Sequence, residues 1–114
     1  MHILLIEKDS ISLAVTSHAL RLNGYSCRQC DNSFEALRLF RQDKFDVVLI
    51  ECDMPVLSGL ELLELMKKQN PIPKIILLSS NRAADSESRA RAGGASGFFY
   101  KPIEWNQLVG ALDS

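Results

Sequence analysis

The sequence contains few of the residues that mark disordered, covalently braced or membrane-embedded proteins. Among 114 residues there are only four prolines, six glycines and three cysteines. No apolar run approaches the roughly 20 residues that a membrane span requires, and the apolar start has neither the length nor the cleavage site of a secretory signal. We therefore expect one soluble globular domain over residues 1–114, working in the cytoplasm without membrane contact.

An excess of charge of either sign is also lacking. The 13 basic and 14 acidic side chains give a formal net charge of -1. Proteins whose main task is to neutralise nucleic-acid phosphates need a marked basic excess. We therefore expect no direct contact with nucleic acid.

The three cysteines do not form a recognisable framework. Cys27 and Cys30 match the spacing C-x-x-C, but they lie in a predicted strand, where residues three apart point to opposite faces. No second cysteine pair follows, and neither histidine has a ligand spacing. We expect ordinary thiols and no metal.

Five short apolar runs alternate with segments of helical period. The runs cover residues 3–6, 26–30, 47–50, 74–79 and 97–100. Three of them are continuously apolar, which is typical of strands buried on both faces of a parallel sheet. The pattern predicts a doubly wound α/β fold with a five-stranded parallel sheet, flanking helices and right-handed crossovers.

The intervening helices carry start and stop signals. Ile11, Val15, Ala19 and Leu22 lie on one face of the first predicted helix, and Gly24 follows its end. Capping boxes at 32–35 and 58–61 predict the next two helix starts. Residues 82–93 give the weakest helical pattern, and the last helix is expected from about residue 104 to residue 112.

Polar residues follow four of the apolar runs, at the sheet edge where doubly wound proteins place their functional sites. They are Glu7, Lys8 and Asp9 after the first run, Glu51 and Asp53 after the third, Ser79 and Ser80 at the end of the fourth, and Lys101 after the fifth. Charged residues are ordinary at any one strand end. Their recurrence at four ends predicts a common site.

The sequence resembles the receiver domains of two-component response regulators. The resemblance runs from ILLIEKD through DVVLIECDMPVLSGLELL and PKIILLSS to AGGASGFFYKPI. It implies a flavodoxin-like fold with strand order 2-1-3-4-5. In that family, an aspartate after the third strand accepts a phosphoryl group from a histidine kinase. Two acids after the first strand hold Mg²⁺. A hydroxyl group after the fourth strand and a lysine after the fifth contact the phosphoryl group, and an aromatic residue on the fifth strand then changes its orientation.

The resemblance assigns Glu7 to the first acid, Ser79 to the hydroxyl, Lys101 to the lysine and Phe98 to the aromatic switch. Asp53 stands where the family uses a backbone carbonyl. Two positions depart from the family pattern. Glu51 stands at the phosphoacceptor position, and Lys8 replaces the second metal-binding acid.

Both departures oppose phosphorylation. Glutamate reaches roughly 1.5 Å further than aspartate, and a misplacement of about 1 Å can cost two orders of magnitude in rate. An ammonium group supplies no ligand to Mg²⁺. Two alternatives that would restore a working site stay open. In one, Asp53 is the phosphoacceptor, and in the other, Asp9 replaces the missing metal-binding acid. A more specific hypothesis is that the Lys8 ammonium occupies the metal's place and pairs with Glu51. The alternative is that both substitutions arose by evolutionary drift and that both side chains lie in solvent.

We expect an atypical receiver that is not an enzyme, has no catalytic residue or cofactor, and regulates through protein contacts. Its partner would be another protein, an effector domain or a second copy, bound through the face formed by residues 82–112, where four of eight aromatics cluster. The alternative is a working phosphoacceptor that uses Mg²⁺ and a histidine kinase. A flavin or nucleotide binder is a further rival, but the first strand-to-helix turn has no glycine to cradle a phosphate.

Overall fold

The computed structural model describes residues 1–82 and 84–114, and Ala83, which falls in the predicted helical segment 82–93, lies outside the described residues. Within these ranges strands and helices alternate along the chain. The strands are β1 (His2–Ile6), β2 (Ser26–Cys30), β3 (Val47–Glu51), β4 (Lys74–Ser79) and β5 (Gly97–Tyr100). The helices are α1 (Ser10–Leu22), α2 (Ser33–Gln42), α3 (Gly59–Met66), α4 (Ser86–Ala92) and α5 (Trp105–Asp113).

The strands form one parallel sheet in the order β2-β1-β3-β4-β5, which confirms the predicted order. In the three central strands nearly every residue is buried. Their continuous apolar runs are explained by helices on both faces of the sheet, because each side chain then meets a packed layer whichever way it points. The carboxyl ends of all five strands consequently meet at one edge.

Two hydrophobic clusters lie on opposite faces of the sheet. One contains residues of α2, α3 and α4, and the other contains residues of α1 and α5. None of the helices formed by the described residues is long and apolar enough to cross a lipid bilayer. The chain thus has the three-layer arrangement that the alternating pattern predicted.

The buried face of α1 differs from the one that the sequence suggested. Its buried residues are Ser17 and Leu20. Ile11, Val15 and Leu22, which define the predicted apolar face, are 72%, 63% and 74% exposed. Burial of α1 therefore uses a narrow opposite face, and an apolar stripe is left in solvent.

The end of α5 is held by a lysine from the start of β4. Lys74 Nζ donates to the carbonyl oxygens of Ala111, Leu112 and Ser114, at 2.9, 3.3 and 2.6 Å. The last carbonyls of a helix have no intrahelical partner and carry partial negative charge. The Lys74 ammonium group supplies hydrogen bonds to these carbonyls, offsets their partial negative charge and links α5 to the sheet.

All three cysteines are buried as free thiols. Cys27 packs in the α1/α5 cluster and Cys30 in the opposite one, so the C-x-x-C pair points to both faces as expected. Burial raises the pKa of Cys27, and it raises the pKa of both Cys30 and Cys52 to about 12. The thiols are therefore part of the core.

Candidate functional site at the carboxyl edge of the sheet

Four strand ends bring the predicted site residues together. Glu7 follows β1, Glu51 ends β3, Ser79 ends β4 and Lys101 follows β5. The parallel register places Glu51 beside Leu78 and Ser79 beside Tyr100. The sheet geometry alone therefore collects residues that are up to 94 positions apart in sequence.

Glu7, Glu51 and Lys101 form what we call the inner cluster. Lys101 Nζ donates to Glu7 Oε2 at 2.6 Å and also forms an ion pair with Glu51 Oε2. Glu7 and Glu51 are only 3% and 2% exposed, whereas the Lys101 side chain keeps 19% of its surface. One ammonium group thus serves two buried carboxylates.

The electrostatics of the inner cluster follow from burial and from this sharing. Burial, together with the nearby Glu51 carboxylate, raises the pKa of Glu7 in spite of its hydrogen bond from Lys101. Burial alone would lower the pKa of Lys101, but its hydrogen bonds to Glu51 and Glu7 outweigh that effect and raise it. Lys101 is therefore held in its charged form, as two buried carboxylates require.

Backbone amides complete the shell around the two carboxylates. The Asp9 N–H donates to Glu7 Oε1 at 3.2 Å, and the Asp53 N–H donates to Glu51 Oε1 at 3.3 Å. Each glutamate therefore receives a donor from the residue two positions further along the chain. Such bonds offset part of the cost of burying charge.

Lys8 and Asp53 form a second pair, which we call the outer bridge. Lys8 Nζ donates to Asp53 Oδ2 at 2.7 Å, with side chains that are 43% and 84% exposed. The hydrogen bond that Lys8 donates to Asp53 raises the pKa of Lys8. The hypothesis that Lys8 pairs with Glu51 is therefore wrong in its partner, since Lys101 pairs with Glu51 and Lys8 bonds to Asp53.

The backbone after β3 approaches α3 closely. The Gly59 N–H donates to the Cys52 carbonyl at 2.9 Å, and a Cβ atom at Gly59 would lie 2.7 Å from the Glu51 carbonyl oxygen. Only glycine fits there, which explains the residue in the MPVLSG segment. The first turn of α3 therefore rests directly on the strand end that carries Glu51.

The intervening loop is fastened from α2, which the sequence did not suggest. Ser33 is buried, and its hydroxyl bonds to the carbonyl oxygens of Pro55 and Leu57 at 2.9 and 2.7 Å. Between them, Val56 has a φ of +71° and is 72% exposed. A β-branched residue is strained in this left-handed conformation.

The predicted switch residues lie next to the inner cluster. Ser79 is buried, its hydroxyl accepts from the Asn81 N–H at 3.1 Å, and the Lys101 N–H donates to the Ser79 carbonyl at 2.8 Å. Within residues 1–82 and 84–114, no hydrogen bond joins the Ser79 hydroxyl to Glu51. Phe98 is buried and packs edge to face with Tyr100, over which Arg82 lies at 4.4 Å.

The donor set of this edge does not fit Mg²⁺. Mg²⁺ requires a near-octahedral shell of oxygen ligands. The Glu7 and Glu51 carboxylates already bind Lys101, and Asp53 binds Lys8, an ammonium group at a position where a ligand would be needed. Among the described residues, no group of three potential metal-ligating side chains is assembled.

Large apolar side chains are exposed elsewhere than on the predicted partner surface. Among the described residues, those that are strongly exposed lie outside 82–112. In that face Phe98 is buried, and Phe99, Tyr100 and Trp105 are only partly exposed. The cluster of aromatics in the sequence therefore reflects packing of β5 and the start of α5 on the sheet to a large extent.

Comparison with known proteins agrees with the fold and the motifs. The family model of the response regulator receiver domain matches residues 3–113. The cell cycle transcriptional regulator CtrA of Caulobacter vibrioides is 25% identical over 98% of this chain. The chain spans about half the length of that relative, at 48%, and from 16% to 93% of other curated relatives.

Solved structures show the same architecture. A response regulator receiver domain protein from Clostridium thermocellum is 30% identical, covers 98% of this chain and 90% of its own, and has a TM-score of 0.92. The response regulator TrrA of Thermotoga maritima, determined in complex with Mg²⁺ and BeF, is 26% identical with a TM-score of 0.87, covering 98% of this chain and 96% of its own. With the family model matching almost its whole length, the chain belongs to the response regulator receiver domain family.

Proposed function

We propose that this receiver domain is a phosphorylation-independent regulatory and protein-interaction module of signal transduction. In this proposal it is not itself an enzyme and needs no Mg²⁺. Its effect on a partner depends on the surface that the fixed fold presents. Buried free thiols agree with a cytoplasmic location, where such groups stay reduced.

One observation carries the proposal, namely that lysine ammonium groups bind the Glu7, Glu51 and Asp53 carboxylates at this edge. Lys101 binds the Glu7 and Glu51 carboxylates at the same time, and Lys8 binds Asp53. Phosphoryl transfer in this family uses the divalent charge of a metal to offset the charge on the phosphoryl group. Here the Glu7 and Glu51 carboxylates share the Lys101 ammonium, which already offsets part of the charge that a metal would offset.

The length of Glu51 supports the same conclusion. Its carboxylate pairs directly with the Lys101 ammonium, which a phosphoryl group on Glu51 would have to displace. The Lys101–Glu51 contact corresponds to the lysine contact that a phosphoryl group would make. The corresponding hydroxyl contact is missing, because the Ser79 hydroxyl bonds to the Asn81 backbone instead.

The alternative function is a working phosphoacceptor with a histidine kinase as partner. It is favoured by the retained carboxylate, lysine and hydroxyl at three strand ends, and by the printed Mg²⁺ and BeF complex of TrrA. Under this alternative, Lys8 and Lys101 would have to release their carboxylates before a metal could bind. Affinity for Mg²⁺ therefore separates the two functions.

The deciding experiment is an amide NMR titration with Mg²⁺ to 20 mM, followed by beryllofluoride as a phosphoryl mimic. We expect no site-specific shifts at Glu7, Glu51, Ser79 or Lys101, because the donor set is occupied. Saturable shifts that spread to Phe98 would refute the proposal and favour the phosphoacceptor. TrrA provides a positive control for the reagents.

A substitution tests whether Lys8 is the cause. Lys8→Asp frees Asp53 and adds a carboxylate beside Glu7, so we expect saturable Mg²⁺ binding in the millimolar range. The matched control is Lys67→Asp, since Lys67 forms a bridge of the same 2.7 Å length with Glu64 on α3. If neither variant binds Mg²⁺, the Lys8 ammonium is not what keeps the metal out.

A further inference from the structure

The solvent face of α1 carries an apolar stripe that packing within the chain does not use. Three of the eight strongly exposed large hydrophobic side chains of the described residues lie on this one helix: Ile11, Val15 and Leu22. With the exposed His18 they follow a spacing of four, three and four residues. At about 100° per residue, the four positions fall within about 60° of one another. They form a narrow seam of the kind that packs against another helix.

The helix that carries the seam has few charged residues of its own. In α1 the ionisable side chains are His18 and Arg21, whereas the shorter α2 carries one acidic and two basic residues. Ser12, Ala14 and Ala19 flank the seam with small side chains. Depletion of charge around exposed apolar residues is typical of the core of a protein interface, and small flanking residues allow two helices to approach closely.

A groove runs beside the first half of the seam. It has a volume of about 580 Å³ and lies between α1 and the segment that leads from β5 into α5. Its apolar walls come from Ile11 and Val15 on one side and from Pro102, Ile103 and Trp105 on the other, and Lys101 also lines it. The groove includes Ile11 near the start of α1, while Leu22 projects into solvent at the other end of the helix.

We propose that α1 pairs antiparallel with α1 of a second copy of this chain, so that each Leu22 enters the groove of the other copy. The spacing of the seam reads the same in both directions, as a twofold interface requires. Ile11 then faces Leu22 of the second copy, and Val15 faces its His18. One chain thus carries both the projecting side chain and the groove that receives it, which is why a second copy is the occupant that fits.

The size of the seam sets the expected affinity. A helix of 13 residues is about 20 Å long, so two such helices and the groove bury less than the roughly 800 Å² per partner of a standard interface. We expect a reversible dimer with a dissociation constant on the order of 100 μM. This inference deepens the proposed interaction role by naming a partner, but its test is independent of the Mg²⁺ titration.

Sedimentation equilibrium of the 114-residue chain between 10 μM and 1 mM measures this association. Val15→Lys should weaken the dimer at least about tenfold, because it puts a cation at the centre of the seam beside His18 and Arg21 of the other copy. Leu22→Lys should do the same at the groove. Phe34→Lys is the matched control, since Phe34 is 64% exposed but lies on α2, and it should leave the association unchanged.

Disulfide trapping tests the direction of the pairing. A Val15→Cys chain and a His18→Cys chain, mixed in a glutathione redox buffer, should form the mixed disulfide in preference to either symmetric one. Preference for the symmetric disulfides would overturn the antiparallel arrangement. A chain that stays monomeric at 1 mM would overturn the proposal. It would also be overturned if the chain dimerises but Val15→Lys leaves the dimer intact, while Arg89→Glu, a substitution in the 82–112 face, disrupts it. Binding of α1 to a helix of another protein by a monomeric chain would likewise overturn it.

Discussion

The inner cluster and the outer bridge contain the same kinds of side chain at one edge of one sheet, but they differ in access to water. Glu7 and Glu51 are almost completely buried around Lys101, whereas Lys8 and Asp53 face solvent. A buried charge that loses its partner keeps the cost of desolvation, and an exposed charge is simply hydrated again. The similar lengths of the Lys101–Glu7 and Lys8–Asp53 bonds therefore do not imply similar contributions to stability, and substitutions at the two sites should show the difference.

The largest effect should come from removal of the shared cation. Lys101→Met leaves two buried carboxylates without a counter-ion, so we expect the free energy of unfolding at pH 7 to fall by about 2–4 kcal/mol, a value reduced for the partial exposure of Lys101. Urea denaturation monitored by circular dichroism measures the loss. Lys67→Met, which removes a lysine from an exposed bridge on α3, should change it by less than about 0.5 kcal/mol.

The pH dependence of this loss provides a check on its cause. Glu7 has a pKa above its ordinary value of 4.5 in the folded chain, and removal of Lys101 should raise it further. The folded state then binds a proton that the unfolded state releases, so stability increases as the pH falls from 7 towards 4.5. The deficit of Lys101→Met should therefore narrow in acid. A deficit that is constant with pH would mean that lost packing, and not charge, is responsible.

A smaller effect, of opposite sign, is expected in the loop that leads away from the outer bridge. Val56→Asn should raise the free energy of unfolding by about 1 kcal/mol, because asparagine adopts the left-handed conformation more readily than a β-branched residue. Val15→Asn serves as control at about 10 μM protein, where the expected dissociation constant of about 100 μM leaves most of the chain monomeric. Val15 is similarly exposed but helical, and valine and asparagine have similar helix propensities. Thermal denaturation compares the two, and equal shifts would contradict strain at Val56.

The smallest effect should be that of the outer bridge itself. In a double-mutant cycle of Lys8→Ala and Asp53→Ala, we expect the coupling to disappear within error at 0.5 M NaCl, since salt screens exposed charges. Urea midpoints of the four proteins provide the measurement. A coupling that survives high salt would show that the outer bridge is structurally similar to the inner cluster.

The fold was predictable because its signals are local and repeated. Three of the five strands begin and end at the predicted residues, and the other two differ by one residue at one end. Both predicted helix starts are confirmed, with Ser58 and Glu61 forming the full capping box. At the other start, Asn32 accepts from the Glu35 N–H, but the Glu35 carboxylate binds Arg38 and does not complete the box. These features depend on neighbours in sequence or on the period of a strand, which a single sequence contains.

The contacts of the site were less predictable from the sequence, because they depend on how far side chains reach across strands. The sequence placed Lys8 and Glu51 at adjacent strand ends, but it could not show that Lys101 fills the space between Glu7 and Glu51. The error on α1 has a similar origin. An apolar stripe predicts a buried face, and whether the burial comes from the same chain or from another one is not part of the pattern.

The buried thiols make the chain a convenient background for cysteine chemistry. With a pKa of about 12, Cys30 and Cys52 would each carry thiolate at only about one part in 10⁵ at pH 7. Since alkylating reagents and disulfides react with the thiolate, the native cysteines should not react with them as long as the chain is folded. A cysteine introduced on the solvent face of α1 would then be labelled alone, and delayed reaction of the native thiols would report unfolding of the same molecule.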